Sequence, residues 1–212
     1  FGDFIYVVVN NSAKIEVINK SDFKVVSSIS GFNSPRYFVA VDSKKGYVSD
    51  LYSNKVWIVN LETNAISSSI KSKGWTEEMV LVDDKLYVTN PESEYLYIVN
   101  TDEDVFSDSI NVGLGVSSIQ KDTNSTIWCL SAGSSSVLPA LIKVNADNST
   151  QRYELDANAT PSKLSHSNFN EKLYFINGDI CEFDISTEVM NPSFITSTYK
   201  LFYGLGVDSE NG

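Results

Sequence analysis

The side chains that could bind or react in this chain are mostly amides, carboxylates and aromatic rings at the ends of short apolar runs. They are Asn10, Asn11, Asn33, Arg36, Asp50, Tyr52, Trp75, Glu77, Asn90, Glu92 and Tyr203. Amides form directional hydrogen bonds and aromatic rings offer stacking area. A set of this kind suits a large polar ligand that is itself rich in amide groups.

Three of these residues have an equally good structural explanation. Trp75 and Tyr203 would also serve as packing between neighbouring sheets, because large aromatic rings bury well. Arg36 would also bond to loop carbonyls or to a neighbouring carboxylate. The sequence leaves both alternatives open.

Catalytic chemistry has weak support. A metal site of histidines needs several donors, and a nucleophile needs a base held by an orienting group. His166 is the only histidine and stands in a serine-rich stretch, so we expect it at the surface. We predict no catalytic residue, no metal and no cofactor. The alternative is a lyase or hydrolase working through carboxylates, whose turnover would be lost in Glu77→Gln or Asp50→Asn.

The charge balance excludes some partners. The chain has 212 residues with 27 acidic and 16 basic side chains, a formal charge of −11. A nucleic-acid groove needs clustered Lys and Arg, so no nucleic acid is expected.

No apolar run is long enough to span a membrane. Cys129 and Cys181 are too few for a disulfide framework, and we interpret both as small apolar side chains inside strands.

Three columns of residues recur together at a spacing of about 40 residues. The first is an aromatic residue in an apolar run: Tyr6, Tyr47, Tyr87, Trp128 and Tyr174. The second is a polar residue that ends the next run: Asn19, Asn60, Asn100, Asn145 and Asp184. The third is an aliphatic residue in a serine-rich stretch: Ile29, Ile70, Ile110, Leu155 and Ile195. The polar residues should start turns, because Asn and Asp bond to their own backbone.

The repeat predicts an all-β protein, a β-propeller with five four-stranded blades in a single domain over 1–212. Runs of four to six β-branched and aromatic residues bounded by Asn, Asp, Ser and Gly are typical of strands, and a 40-residue unit of four strands is typical of a propeller blade. We label the strands of a unit A to D in chain order. The chain begins at strand B. The units cover approximately 1–35, 36–75, 76–115, 116–160 and 161–204, and 205–212 begins a further unit.

Loop lengths indicate which face binds. In a propeller the D–A and B–C loops share one face. The first and second columns are 13 residues apart in the first three units, 17 apart in the fourth and 10 apart in the fifth. The fourth unit therefore has a longer B–C loop within 131–140. The fifth has only Asn177-Gly178, which suits a type I′ turn. We take the D–A and B–C face as the binding face. The alternative is that loop lengths vary without any relation to binding.

The chain resembles a known group of surface proteins. Residues 87–90 read Tyr-Val-Thr-Asn, the YVTN sequence that names one class of propeller. Residues 6–17, 33–37 and 50–60 resemble surface lipoprotein propellers of Bacteroides-type bacteria, which are similar to the cobalamin-capturing propeller of an outer-membrane transporter.

The resemblance implies a ring of about seven blades, of which this chain is a part. It also implies a non-enzymatic role at the outer surface of the cell, in which a small molecule such as cobalamin or a similar corrinoid is captured for an outer-membrane transporter. The alternative is a scaffold that contacts proteins or glycans.

Overall fold

The structure is a computed structural model that describes residues 1–198 and 201–208. Every regular element in these residues is a strand, except the 3-10 turn Asn10–Ser12. The strands are β1 (Phe4–Val9), β2 (Lys14–Asn19), β3 (Val25–Ser30), β4 (Pro35–Ala40), β5 (Lys45–Asp50), β6 (Lys55–Asn60), β7 (Ala65–Lys71), β8 (Met79–Val82), β9 (Lys85–Val88), β10 (Tyr95–Asn100), β11 (Val105–Asn111), β12 (Val116–Lys121), β13 (Ile127–Ser131), β14 (Ala140–Val144), β15 (Thr150–Glu154), β16 (Ser162–Ser167), β17 (Lys172–Asn177), β18 (Asp179–Asp184) and β19 (Val189–Ile195).

The strands form five sheets, and within each sheet every strand is hydrogen-bonded to the next one in the chain. The first sheet has three strands in the order β1-β2-β3. The other four sheets have four strands each, and they run β4 to β7, β8 to β11, β12 to β15 and β16 to β19. The expected number of sheets and the all-β class are confirmed. The first sheet lacks a strand A among the described residues, as expected for a chain that begins at strand B.

The first column of the repeat lies in strand B of every sheet, namely β1, β5, β9, β13 and β17. Tyr6 pairs with Val17, Tyr47 with Ile58 and Tyr87 with Ile98, which is the same register in three successive sheets. These aromatic residues therefore occupy equivalent positions, as the repeat predicts.

The second column forms turns, as predicted. Asn60 Oδ1 accepts the backbone N–H groups two and three residues ahead, both at 2.9 Å. Asn100 does the same at 2.9 and 3.0 Å. In the fifth sheet Asp184 takes this place, and hydrogen bonds from the Ser186 hydroxyl and the Thr187 backbone lower the pKa of its carboxyl to about 2.

Contacts divide the chain into two compact units, and each has its own core. The first unit comprises Phe1–Glu92 and Tyr97–Ser109, and the second comprises Ser93–Leu96 and the described residues from Ile110 onward. In the first unit β4 contacts both β1 and β8, and in the second β16 contacts β12. Strand β13 is buried along its whole length. Its near-continuous apolar run predicts burial on both faces, and that is observed.

Two expectations about single side chains have opposite outcomes. Cys129 and Cys181 are free thiols that are 0% and 1% exposed, which confirms them as core side chains. The expectation for His166 is wrong. Its side chain is only 4% exposed and lies in β16, with Nε2 3.6 Å from a Glu171 carboxylate oxygen. The serine-rich segment that suggests a surface loop is a strand in the structure.

The end of the described chain also differs from expectation. Residues 201–208 form no strand, and the remainder of 205–212 lies outside the described residues. Phe202, Leu205 and Val207 instead pack against the fifth sheet.

The predicted type I′ turn is also absent, because Gly178 has a φ of +74° whereas Asn177 is not among the residues with positive φ. None of the described residues forms a helix long and apolar enough to cross a membrane.

Candidate functional site

Ten of the eleven predicted site residues lie in the first unit, in or beside the D–A and B–C loops. We call the surface formed by loops 10–13, 31–34, 51–54, 72–78 and 89–92 of the first unit the loop face. Tyr203 lies in the second unit and is 95% exposed. The role of Tyr203 in binding stays a prediction.

Asp50 is the anchor of the second sheet's loops. Its side chain is fully buried at the end of β5. The carboxylate accepts five hydrogen bonds of 2.9 to 3.2 Å, from the backbone N–H groups of Asn33, Ser34, Tyr52 and Ser53 and from Trp57 Nε1. It joins the D–A loop to the B–C loop of the same sheet. A carboxylate with this burial and this number of donors has no capacity left for a ligand.

Asn10 and Asn90 both follow strand B in their own sheets. Asn10 Nδ2 donates to Ser34 Oγ at 2.8 Å and to Pro35 O at 3.0 Å, so it ties the first sheet to the loop that enters the second. Asn90 is 1% exposed, and its Oδ1 accepts the Glu92 backbone N–H at 2.9 Å. Both amides are engaged in holding loops.

Close approach of the backbone to Asn90 requires a glycine. Gly74 has a φ of +146°, and a Cβ there would lie 3.1 Å from Asn90 Nδ2. A larger residue at position 74 would be strained by this φ and would crowd the Asn90 amide.

Arg36 and Glu77 form a forked ion pair across the loop face. Arg36 Nε lies 2.7 and 3.1 Å from the two carboxylate oxygens of Glu77, and its NH2 group lies 2.6 Å from one of them. The side chains are 33% and 12% exposed. These hydrogen bonds raise the pKa of the Arg36 guanidinium. This is the alternative in which Arg36 bonds to a neighbouring carboxylate, and the structure favours it.

A second pair stands next to this fork. Tyr37 Oη donates to Glu78 Oε1 at 2.9 Å. Burial, followed by the negative charge of Glu78, raises the pKa of the Tyr37 hydroxyl. Tyr37 therefore remains a neutral hydrogen-bond donor at physiological pH.

The remaining residues of the loop face are available at its surface. The side chains of Asn11, Asn33 and Glu92 are exposed, and Tyr52 is 71% exposed. Trp75 is half-buried, and its Nε1–H is buried without a hydrogen-bond partner among the described residues. The loop face thus presents amides and an aromatic ring on a scaffold of buried polar contacts, and the indole N–H of Trp75 lies beneath this surface.

Sequence reasoning missed two contributors, Ser34 and Thr76. Ser34 accepts from Asn10, and Thr76 Oγ1 accepts the Asp50 backbone N–H at 3.0 Å. Trp57 packs against Phe32 with ring centroids 6.2 Å apart, and its indole N–H also donates to Asp50. These contacts join residues 7 to 26 positions apart, so no local spacing signals them.

Among residues 1–198 and 201–208 no group of three or more His, Cys, Asp or Glu could hold a metal.

Solved structures with the same fold support the propeller assignment. A hydrazine synthase chain from Kuenenia stuttgartiensis matches 87% of this chain and 63% of its own length, with a TM-score of 0.71 and 11% identity. A virginiamycin B lyase from Staphylococcus aureus matches 91% of this chain and 67% of its own length, with a TM-score of 0.73 and 12% identity.

A third structure, a protein of unknown function from Desulfotomaculum acetoxidans, matches 98% of this chain and 70% of its own length, with a TM-score of 0.75 and 12% identity. This chain thus spans between 63% and 70% of the three. At such identities the likeness shows the fold alone, a β-propeller.

Comparison at the level of sequence also matches nearly the whole chain. A family model described as "Domain of unknown function (DUF5074)" matches residues 1–211. No curated protein matches the sequence.

Proposed function

This chain belongs to the DUF5074 family of domains of unknown function, and from the geometry of its loops we propose that it is a non-enzymatic, ligand-binding propeller. The observation that carries the proposal is that Asp50 and Glu77 already accept hydrogen bonds from other groups of the protein. Asp50 accepts five hydrogen bonds, and the carboxylate of Glu77 forms an ion pair with the guanidinium of Arg36. A general base must be free to take a proton from a substrate. Asp50 instead fixes the loops that display Asn33 and Tyr52, and Glu77 is held by Arg36 of β4.

A rigid surface of amides and an aromatic ring suits a polar ligand with many amide groups. Rigid loops lose little conformational entropy on binding, and the exposed Asn11 and Asn33 amides can both donate and accept. We propose a corrinoid as the ligand, because its side chains carry amides and its ring system offers a large flat surface for Tyr52. The proposed setting is the outer surface of the cell, where the propeller would pass the ligand to an outer-membrane transporter.

Calorimetric titration with cyanocobalamin tests this ligand. We expect binding in the sub-micromolar range. Asn33→Ala and Tyr52→Ala should each weaken binding at least about tenfold, since each removes one direct contact. Phe23→Ala is the matched control, because Phe23 is 74% exposed in the turn between strands C and D of the first sheet, away from these loops. Binding that both loop variants leave unchanged would refute the loop face as the site.

A flat titration would exclude corrinoids but would leave the binding role to be tested with a wider set of ligands. Thermal shift measurements across polar small molecules would serve that purpose. If a ligand raises the melting temperature of the unmodified protein and of Phe23→Ala but not of Tyr52→Ala, the loop face binds it.

The exposure of Tyr52 favours one alternative, a scaffold that contacts proteins or glycans. Exposed aromatic residues are enriched in interfaces, and Tyr52 is 71% exposed. A scaffold predicts a partner whose binding is lost in Tyr52→Ala and kept in Phe23→Ala, with no thermal shift from small molecules.

A further inference from the structure

A cleft in the second unit offers a positively charged group to a ligand. It has a volume of about 310 Å³ and lies between the D–A loop after β11 and the B–C loop of the fourth sheet. Its walls include Asn111, Leu114, Ser134, Val137, Thr150 and Arg152. We call it the Arg152 cleft.

Arg152 is held in place by backbone carbonyls. Its NH2 group donates to Leu138 O at 2.8 Å and its NH1 group to Val112 O at 3.4 Å. Gly113 makes the approach possible, because it has a φ of +81° and a Cβ there would lie 3.1 Å from Arg152 NH1. The guanidinium is therefore fixed before any ligand arrives, which lowers the entropy cost of binding.

The two arginines of the chain differ in their partners. Arg36 forks the carboxylate of Glu77, whereas Arg152 forms no ion pair with any of the described residues. A guanidinium has five N–H donors, and the two carbonyls leave several of them unused. An arginine without a carboxylate is notable in a chain with 27 acidic residues, since a carboxylate is the partner that its planar fork fits best.

We infer that the Arg152 cleft binds the carboxylate of a small organic acid with an apolar body. The guanidinium of Arg152 would donate hydrogen bonds to the carboxylate of the ligand. Leu114 and Val137, which are 37% and 43% exposed, would cover the apolar part. The long B–C loop of the fourth unit supplies Ser134 and Val137, so the extra residues of this loop build one wall of the cleft.

The charge of the surroundings limits the ligand to one acidic group. Glu94 also lines the cleft, and the chain as a whole carries −11. A polyanion would be repelled by both, because like charges in a partly solvated site are unfavourable. A monocarboxylate matches a single unpaired guanidinium. This inference concerns the second unit and does not depend on the corrinoid proposal for the loop face.

The test compares two probes of the same shape on the unmodified protein. N-acetyl-leucine carries a carboxylate, and N-acetyl-leucinamide has a neutral amide in its place. In 15N-resolved NMR titrations we expect N-acetyl-leucine to shift the amide signals of Gly113, Ser134 and Val137 with a millimolar dissociation constant, as is usual for a fragment of this size. The amide probe should bind at least about tenfold more weakly, because the charge-assisted fork is lost.

Variants then assign the effect to Arg152. Arg152→Gln should weaken N-acetyl-leucine at least about tenfold, and Arg152→Lys should fall between it and the unmodified protein, because a lysine keeps the charge without the fork. Lys85→Gln removes an exposed cation from β9 in the first unit and should leave binding unchanged. The inference is overturned if the two probes bind equally, if neither shifts these amides, or if a folded Arg152→Gln binds as well as the unmodified protein. The comparison of probes needs no variant, so it holds even if Arg152→Gln fails to fold.

Discussion

Trp57 Nε1 donates a hydrogen bond of 3.0 Å to Asp50 Oδ2, the oxygen that also accepts the backbone N–H of Asn33. One buried carboxylate thus links strand β6 to the loop that leads into β4. Because Asp50 is fully buried and every bond to it has a protein donor, its first role is to hold loops.

We expect Asp50→Asn to destabilise the protein by about 3 kcal/mol, because the amide replaces a charged acceptor with an NH2 group that faces backbone and indole donors. For a domain of this size the melting temperature should fall by about 6 to 12 °C. Differential scanning calorimetry measures the change. Asp3→Asn, at an exposed carboxylate, is the control and should have almost no effect. Equal melting temperatures for the two variants would contradict the anchoring role.

The Arg36–Glu77 fork should give a measurable coupling energy. We expect about 1 to 2 kcal/mol in a double-mutant cycle with Arg36→Met and Glu77→Gln, a moderate value because a third of the Arg36 side chain is in solvent. Urea unfolding of the four proteins provides the energies.

The control cycle uses the exposed pair Lys24 and Asp22, which are 3.3 Å apart with side chains 78% and 47% exposed. Lys24→Met and Asp22→Asn should couple by less than about 0.5 kcal/mol. A coupling no larger at Arg36 and Glu77 than at this exposed pair would show that the fork adds little to the loop face.

Asp184 should make stability depend on pH in the acid range. Its pKa of about 2 in the folded chain is below the ordinary value of about 3.9. A lowered carboxyl pKa means that its stabilisation is complete above the ordinary value and is lost as pH falls from about 4 to about 2. Asp184→Asn should reduce the dependence of the unfolding free energy on pH over this range and change little at pH 7, because Asn60 and Asn100 form the same turn without a charge.

Urea midpoints measured from pH 2 to pH 7 provide the test. The reverse substitution, Asn60→Asp, is the matched control and should add acid sensitivity. If Asp184→Asn kept the full pH dependence of the parent protein, the turn would not be its source.

Both thiols should be protected in the folded protein. Burial raises the pKa of Cys129 to about 12 and that of Cys181 to about 11. Only the thiolate reacts, so labelling with a disulfide reagent at pH 8 should be at least about 100-fold slower than in denaturant. Single variants Cys129→Ala and Cys181→Ala separate the two rates. Rapid labelling of either thiol under native conditions would show that its sheet opens readily.

Much of the fold could be predicted because it repeats. Three columns in phase locate strand B, the turn after strand C and, in four of the five sheets, strand D, whereas Leu155 lies one residue beyond β15. Tyr6, Tyr47 and Tyr87 share one register in the structure. Local chemistry sufficed for the turns as well, since an Asn or Asp bonds to backbone groups only two or three residues ahead.

The site was harder to predict because its polar contacts are long-range. The position of Asp50 after a strand predicts a ligand-binding residue, but its bond to Ser34 spans 16 residues. The spacing gives no sign that a carboxylate is buried. The prediction for His166 fails for a related reason, because serines normally indicate a loop and here form a strand. The Arg152 cleft was missed because Gly113, which admits the guanidinium, is identified only by its φ and its neighbours.

The anchoring of the loop after β5 at its base has an evolutionary consequence. Asp50 fixes the chain where the loop leaves β5, so residues can be inserted beyond that point without disturbing the strands. The entropy of closing a loop grows only with the logarithm of its length, at about 0.6 kcal/mol for each doubling. Insertions at the tips are thus tolerated far better than changes at the anchors. Relatives with this architecture can acquire new ligands by lengthening loops while their sheets stay the same.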